Sequence, residues 1–239
     1  MIEFGVMAAS GNLWWRVPQI TLRKTIGNFE LLLSAMKHRR ISTAEEDRMP
    51  WSLAKISYKN GILGKGGLLA VGGGWRSESL SDNSNGLNND VDRWLLALEL
   101  KLQFGKFTFM AEPWIGDGLD EEWLRYDMGI NTHDNRFRDR NRRPDIIFSR
   151  GGWASLTYAM NSKVKMSLGY GLDDPVNDDV EGIDLNDRQF TKSETYFLNT
   201  WYSLTNAVKV GLEIQYKETE RFSDTNNGMR FTWSTAYLF

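Results

Sequence analysis

The sequence contains no cysteine in its 239 residues, which excludes disulfide frameworks and thiolate metal sites. Proline is scarce, with five copies. This suits a chain that lies mostly in paired strands, where proline would remove a ladder donor. Long apolar runs are also missing. Mean hydropathy is −0.45, and no stretch approaches the roughly 18 apolar residues that a membrane helix needs. A helical membrane protein is thereby excluded, but a barrel is not, because its strands need an apolar residue only at every second position. Positive charge is not in excess: the net charge is −2, so there is no overall basic field for nucleic acid. The opening residues, Met1-Ile2-Glu3-Phe4-Gly5, have neither a basic n-region nor an apolar h-region. On this reading the chain carries no export signal and is a mature form, a truncated product or part of a larger barrel.

Tryptophan is abundant, with ten copies, and aromatics make up 13% of the chain. Their placement follows a period of two. Val208, Val210, Leu212, Ile214 and Tyr216 alternate with Lys209, Gly211, Glu213, Gln215 and Lys217, giving one apolar and one polar strand face. Val164 to Asp173 repeats the pattern, as does Trp94 to Phe104. A fourth face begins at Phe107, Phe109 and Ala111. The last strand sets Phe231, Trp233, Tyr237 and Phe239 against Arg230, Thr232, Ser234 and Ala236. Tight turns at Gly27-Asn28, Gly105-Lys106, Asn161-Ser162 and Thr205-Asn206 alternate with longer polar links near 40–50, 80–90, 117–146, 174–189 and 222–228. Short turns on one side and long loops on the other are the habit of outer-membrane barrels.

The expected strands lie near 2–9, 12–26, 28–40, 51–60, 66–79, 91–104, 106–116, 147–160, 163–173, 190–204, 207–221 and 229–239. The Gly-rich stretch 61–74 leaves room for a bulge or a different turn. The fold class is therefore all-β: one domain over residues 1–239, an antiparallel up-and-down transmembrane β-barrel of about 12 strands. The alternative is the C-terminal part of a larger, 16–18-stranded barrel.

Physical cost decides which face meets lipid. Lys or Arg facing lipid at mid-membrane costs about 2–4 kcal/mol, whereas facing a wet interior it costs little. The polar face therefore points inward, with Glu99, Lys101, Glu112, Lys165, Lys209, Glu213 and Lys217 as the expected pore-lining charges. An aromatic girdle is expected from Trp94, Phe104, Phe107, Tyr170, Tyr202, Tyr216, Phe231 and Phe239, where a ring meets lipid and a polar tip meets water.

From about Gly105 onward the chain resembles porin-like outer-membrane proteins of Gram-negative bacteria. Three stretches carry this: GKFTFMAEPWIGDGLD (105–120), GGWASLTYAMNSKVKMSLGYGLDDP (151–175) and FLNTWYSLTNAVKVGLEIQYKETE (197–220), with the terminal TAYLF. The resemblance implies an outer-membrane location, passive diffusion of small polar solutes or ions, and contacts with outer-membrane lipid and lipopolysaccharide. It also implies recognition by the barrel assembly machinery through the last strand, ending at Phe239, and homotrimers as a common assembly. The alternative from another class is a non-conducting barrel with a structural, adhesion or complex-subunit role.

The link at 117–146 begins acidic, with Asp117, Asp120, Glu121 and Glu122, and ends basic, with Arg136, Arg138, Arg140, Arg142 and Arg143. Links this long are functional or disordered in most domains. A loop folded into the lumen would place these charges at a constriction, where a narrow low-dielectric pore focuses the field. The competing reading is a solvated surface loop. Asp173, Asp174, Asp178, Asp179, Glu181, Asp184 and Asp187 offer oxygen ligands suited to hard cations, but their spacing is not that of an EF-hand and a hydrated acidic loop explains them. His38 and His133 are the only histidines. His133-Asp134-Asn135 has no serine motif to serve. No catalytic residue, cofactor or metal is expected.

Overall fold

The computed structural model describes residue 13 and residues 17–37, 49–79, 90–119, 129–131, 145–180 and 190–237. Its strands in chain order are β1 (Gln19–Ile26), β2 (Phe29–Met36), β3 (Trp51–Tyr58), β4 (Leu68–Ser79), β5 (Asp90–Phe104) and β6 (Phe107–Asp117). There follow β7 (Ile130–Asn131), β8 (Asp145–Ile146), β9 (Phe148–Ala159), β10 (Val164–Pro175), β11 (Phe190–Ser203), β12 (Val208–Arg221) and β13 (Thr225–Tyr237). A 3₁₀ turn (Gly61–Leu63) precedes β4, and a single helical turn, α1 (Asn177–Val180), follows β10.

Eleven strands form one meander in the order β1-β2-β3-β4-β5-β6-β9-β10-β11-β12-β13, while β7 and β8 pair separately. Every pairing is antiparallel. Eleven of the expected strands are present. The expected first strand, 2–9, lies outside the described residues. Some boundaries move. β1 starts at Gln19 rather than near 12, because Leu13 and Val17 pack on the inward side chains of Met36, Trp51, Leu95 and Trp114 instead of entering the strand ladder. The link expected over 222–228 shrinks to Phe222–Asp224, since Thr225 already pairs with Glu220. The 3₁₀ turn makes the β3–β4 connection longer than the other tight turns.

Two-residue hairpins need a left-handed residue. Gly27 and Gly105 supply it, at φ 57° and 58°.

The register shows the two faces directly. One outward row crosses seven neighbouring strands as Leu102, Phe109, Leu156, Leu168, Leu198, Ile214 and Phe231. The row one residue away reads Lys101, Met110, Ser155, Gly169, Phe197, Gln215 and Arg230. Exposure is the reverse of a water-soluble barrel. Leu212 is 56% exposed and Phe231 72%, whereas Glu213 is 2% and Asn199 1% exposed. Apolar side chains outside and polar ones inside are stable only where the outside is hydrocarbon. Among the described residues no helix is long and apolar enough to cross a membrane, so any crossing is made by strands.

Aromatics mark both edges of the apolar band. Near the tight turns, Phe29 meets Tyr58 at 4.9 Å, and Phe107 meets Phe104 at 5.8 Å and Tyr158 at 4.9 Å. Towards the long links, Trp94 meets Phe148 at 6.3 Å, and Tyr196 meets Tyr170 at 4.9 Å and Tyr216 at 6.4 Å. Polar tips there turn to carboxylates: Trp94 Nε1 donates to Asp117 at 2.5 Å, Tyr170 to Glu194 at 2.5 Å and Tyr216 to Glu218 at 2.9 Å. Trp94 and Phe104 bound the apolar stretch of β5 on its outward face. The intervening strand spans about 33 Å, or about 25 Å across a bilayer at the usual barrel tilt, the height of the apolar band in such barrels.

Arginine in place of outward Leu198 or Leu212 should destabilise the folded state by about 2–4 kcal/mol. Arginine at inward Thr157, on the same sheet, should cost less than half of that. Denaturant unfolding in lipid vesicles measures both.

Candidate functional site

The inward face is more open towards the tight turns on β10 and β12, whereas Ser57 and Ala70 are buried at that end of β3 and β4, and it is covered towards the long links. Lys165 is exposed and Lys101 and Lys209 are half-buried. At the opposite end Trp51, Arg76, Glu78, Arg93, Leu95, Trp114, Ser149, Asp173 and Thr195 are buried. The inner wall thus opens into a vestibule at one end and is covered by chain at the other.

What covers it is partly visible. Leu119, just after β6, joins Met36, Trp51, Leu95 and Trp114 in a buried apolar cluster, and Leu13 and Val17 pack on the same cluster from before β1. Met36, Trp51, Leu95 and Trp114 are all inward-facing by register. The base of the long link therefore turns inward. It is tied there by backbone hydrogen bonds, Gly118 N–H to Ile147 O at 3.0 Å and Ile147 N–H to Gly129 O at 3.1 Å. A second cover at the same end joins Ile147 to Val180 of α1, with Phe190 beside them.

A buried charge triad anchors this end. Arg76 and Arg93 are direct cross-strand partners, an arrangement that repels unless an anion lies between them. Glu78 is that anion. One carboxylate oxygen contacts Arg76 at 2.7 Å, and the other accepts from Arg93 Nε at 2.7 Å and also from its Nη2. All three side chains are fully buried. Each guanidinium also donates to loop backbone: Arg93 Nη1 to Gly118 O at 2.8 Å, and Arg76 Nε to Met49 O at 3.2 Å.

The seven expected pore-lining residues share this inward face: Glu99 and Lys101 on β5, Glu112 on β6, Lys165 on β10, and Lys209, Glu213 and Lys217 on β12. They are not equivalent. Glu99 pairs with Lys55 of β3. Glu213 accepts from Asn199 Nδ2 at 3.0 Å. Lys101, Lys165 and Lys209 stand nearest the tight turns, and among the described residues no carboxylate pairs with them. A recess of about 450 Å³ in the wall of β1–β5 is lined by Thr21, Arg23, Ser34, Leu53, Lys55 and Ala97, among others. Among the described residues the inward face carries more basic than acidic side chains.

Of the expected constriction charges only Asp117 lies among the described residues. It ends β6 on the outward face, bonded to Trp94, so it belongs with the aromatic edge. Asp120, Glu121, Glu122, Arg136, Arg138, Arg140, Arg142 and Arg143 lie outside the described residues, as do His38, His133 and Phe239. Of the expected girdle, Trp94, Phe104, Phe107, Tyr170, Tyr202 and Tyr216 edge the band, while Phe231 lies opposite Ile214 within it. Sequence reasoning missed the inward tryptophans Trp51, Trp114, Trp153 and Trp201 and the Arg76–Glu78–Arg93 triad. Their alternation carried the signal, since Arg76 and Glu78 share a parity opposite to Trp75.

No known family profile and no curated sequence matches the chain. Solved structures do. The whole chain superposes on the outer membrane channel DcaP of Acinetobacter baumannii with TM-score 0.79 and 18% identity, covering 66% of that protein. An anion-selective porin from Comamonas acidovorans matches 91% of the chain, with TM-score 0.58, 12% identity and 58% of its own length covered. A further porin, solved at 1.8 Å, matches 93% of the chain at TM-score 0.55 and 16% identity, with 62% of its length covered. The chain thus has the porin fold, an antiparallel up-and-down barrel architecture, and spans about two thirds or less of the length of these proteins.

Glu78→Ala should leave two buried guanidiniums without a counter-charge and cost about 3–5 kcal/mol. Limited proteolysis should then cut faster within 118–147 than in the native protein. Unchanged cleavage would show that the triad does not hold the base of that link.

Proposed function

We propose that this protein is an outer-membrane porin, a barrel wall through which small polar solutes and ions diffuse without covalent chemistry. One observation carries this: outward apolar rows and inward charged rows alternate across the whole sheet, which suits hydrocarbon on one side and water on the other. The likeness to the outer membrane channel and the two porins supports the same reading.

The solutes favoured are anions. Lys101, Lys165 and Lys209 lack carboxylate partners among the described residues and stand at the open end, and Arg23 and Lys55 line the recess. Positive walls of low dielectric concentrate anions inside a pore. One of the similar structures is itself an anion-selective porin.

The inward turn of Leu119 and Gly118 favours the reading of 117–146 as a constriction element, with Arg136, Arg138, Arg140, Arg142 and Arg143 supplying its charge. On the outer surface Arg150, Asp174, Lys192, Glu194, Glu218 and Glu220 lie just beyond the aromatic edge, at the height of lipid headgroups and lipopolysaccharide. The alternation of Phe231, Trp233 and Tyr237 suits β13, with Phe239, for delivery by the barrel assembly machinery. A homotrimer would follow the habit of porins.

A second reading has an observation of its own. The apolar cluster of Met36, Trp51, Leu95, Trp114 and Leu119 fills wall that an open pore would keep wet, as a structural, non-conducting barrel would. Planar bilayers separate the two. The porin reading predicts ohmic conductance and, in a salt gradient, a reversal potential of the sign for anion preference. Changing Lys101, Lys165 and Lys209 together to Glu should reverse that sign. Deleting 120–143 should raise conductance. Silence in the bilayer would favour the structural barrel.

A further inference from the structure

One buried carboxylate on the inner wall has no role in the reading above. Asp173, near the end of β10, is 1% exposed, and neither of its carboxylate oxygens receives a hydrogen bond. Beside it, Ser149 of β9 is also 1% exposed, and its hydroxyl is likewise without a partner. The register sets Gly151 opposite Asp173 and Ser149 opposite Pro175, so Ser149 is the diagonal neighbour of Asp173 on the same inward face. On the other flank Ser193 is the direct partner of Asp173, and Thr195 follows it on that face; both are buried. Lys217 acts on Asp173 through space from β12 but donates no hydrogen bond to it.

A desolvated carboxylate without hydrogen bonds is costly enough that native structures almost never leave one so. A buried carboxylate and a buried hydroxyl left unsatisfied at diagonal positions of the same inward face call for a partner that both can share. The neighbouring inward side chains of Ser149, Ser193 and Thr195 offer hydroxyl oxygens beside the carboxylate, the donor chemistry of a hard cation. Ile147 and Val180, both fully buried, cover the same end of the wall. A cation there would tie β9, β10 and β11 together.

We propose that Asp173 and Ser149, flanked by the hydroxyls of Ser193 and Thr195, form an enclosed site for a hard divalent cation of the calcium type at the covered end of the inner wall. The site is distinct from the outward cluster of Glu194, Glu218 and Glu220, whose carboxylates lie within 4.8 Å of one another but are bonded to Tyr170, Tyr216 and Lys192. Lys217 opposes the bound charge and holds the affinity down.

The test uses the refolded full chain, stripped with chelator and titrated with calcium by calorimetry, then with terbium. Terbium adds a local readout. The Trp114 ring lies within 2.6 Å of where a Gly151 Cβ would stand, and Gly151 faces Asp173, so indole-sensitised emission is expected. The wild type should bind about one equivalent with sensitised terbium emission. Asp173→Asn should weaken binding at least about tenfold, as loss of the one charged ligand implies, Ser149→Ala should weaken it severalfold, and Lys217→Gln should tighten it. Glu218→Gln should leave it unchanged. Heat-dependent gel mobility confirms that each variant is folded. No binding by the wild type, or binding kept in Asp173→Asn and lost in Glu218→Gln, overturns the proposal. Neither result bears on conductance, so the porin reading stands or falls separately.

Discussion

The structure depends on one constraint: a backbone surrounded by hydrocarbon must satisfy its hydrogen bonds within the protein. A meander of antiparallel strands does this between neighbours, and the pleat then sends alternate side chains to opposite sides. Once one side is hydrocarbon, the other side of every strand is free to be polar at little cost. The row from Leu102 to Phe231 and the row from Lys101 to Arg230 are two consequences of that single condition. The constraint also bears on the edges. Among the described residues β1 and β13 each have one partner strand. In a meander of eleven strands the first and last run the same way, so they cannot pair antiparallel with each other. Closure in the same pattern needs an odd number of further strands between them.

Burial of charge follows the same logic at the covered end. Arg76 and Arg93 face each other across two strands, and only Glu78 makes that tolerable. A buried triad of this kind contributes little net stability, but it fixes where loop backbone sits by offering donors to Gly118 and Met49. The same end holds the apolar cluster around Trp51 and Trp114. The inner wall is thus zoned, with lysines that have no carboxylate partner among the described residues at the open vestibule, and ion pairs and aromatic rings beneath the loops.

Most of the architecture was legible because it is written with a period of two. β12 was readable residue by residue, since Val210, Leu212 and Ile214 alternate without a break with Lys209, Gly211 and Glu213. β11 was harder, because Phe197 and Trp201 face inward while Glu194 and Thr200 face outward, so composition misleads and only register decides. The inward tryptophans escaped notice for the same reason: an aromatic is read by default as lipid-facing. Leu13 and Val17 mimic strand residues, yet they leave the sheet to cover the wall. The triad and the Asp173–Ser149 pair join residues from different strands, and such contacts follow from register and loop placement rather than from local pattern.

The central claim is that odd-numbered positions 209–215 on β12 face water and even-numbered ones face lipid. The absence of native cysteine allows single spin labels to be placed at each position from 210 to 215 in the protein reconstituted in bilayers. Accessibility to oxygen, which partitions into lipid, should peak at 210, 212 and 214, and accessibility to a water-soluble nickel chelate should peak at 211, 213 and 215. The opposite phase, or no period of two, would contradict the account.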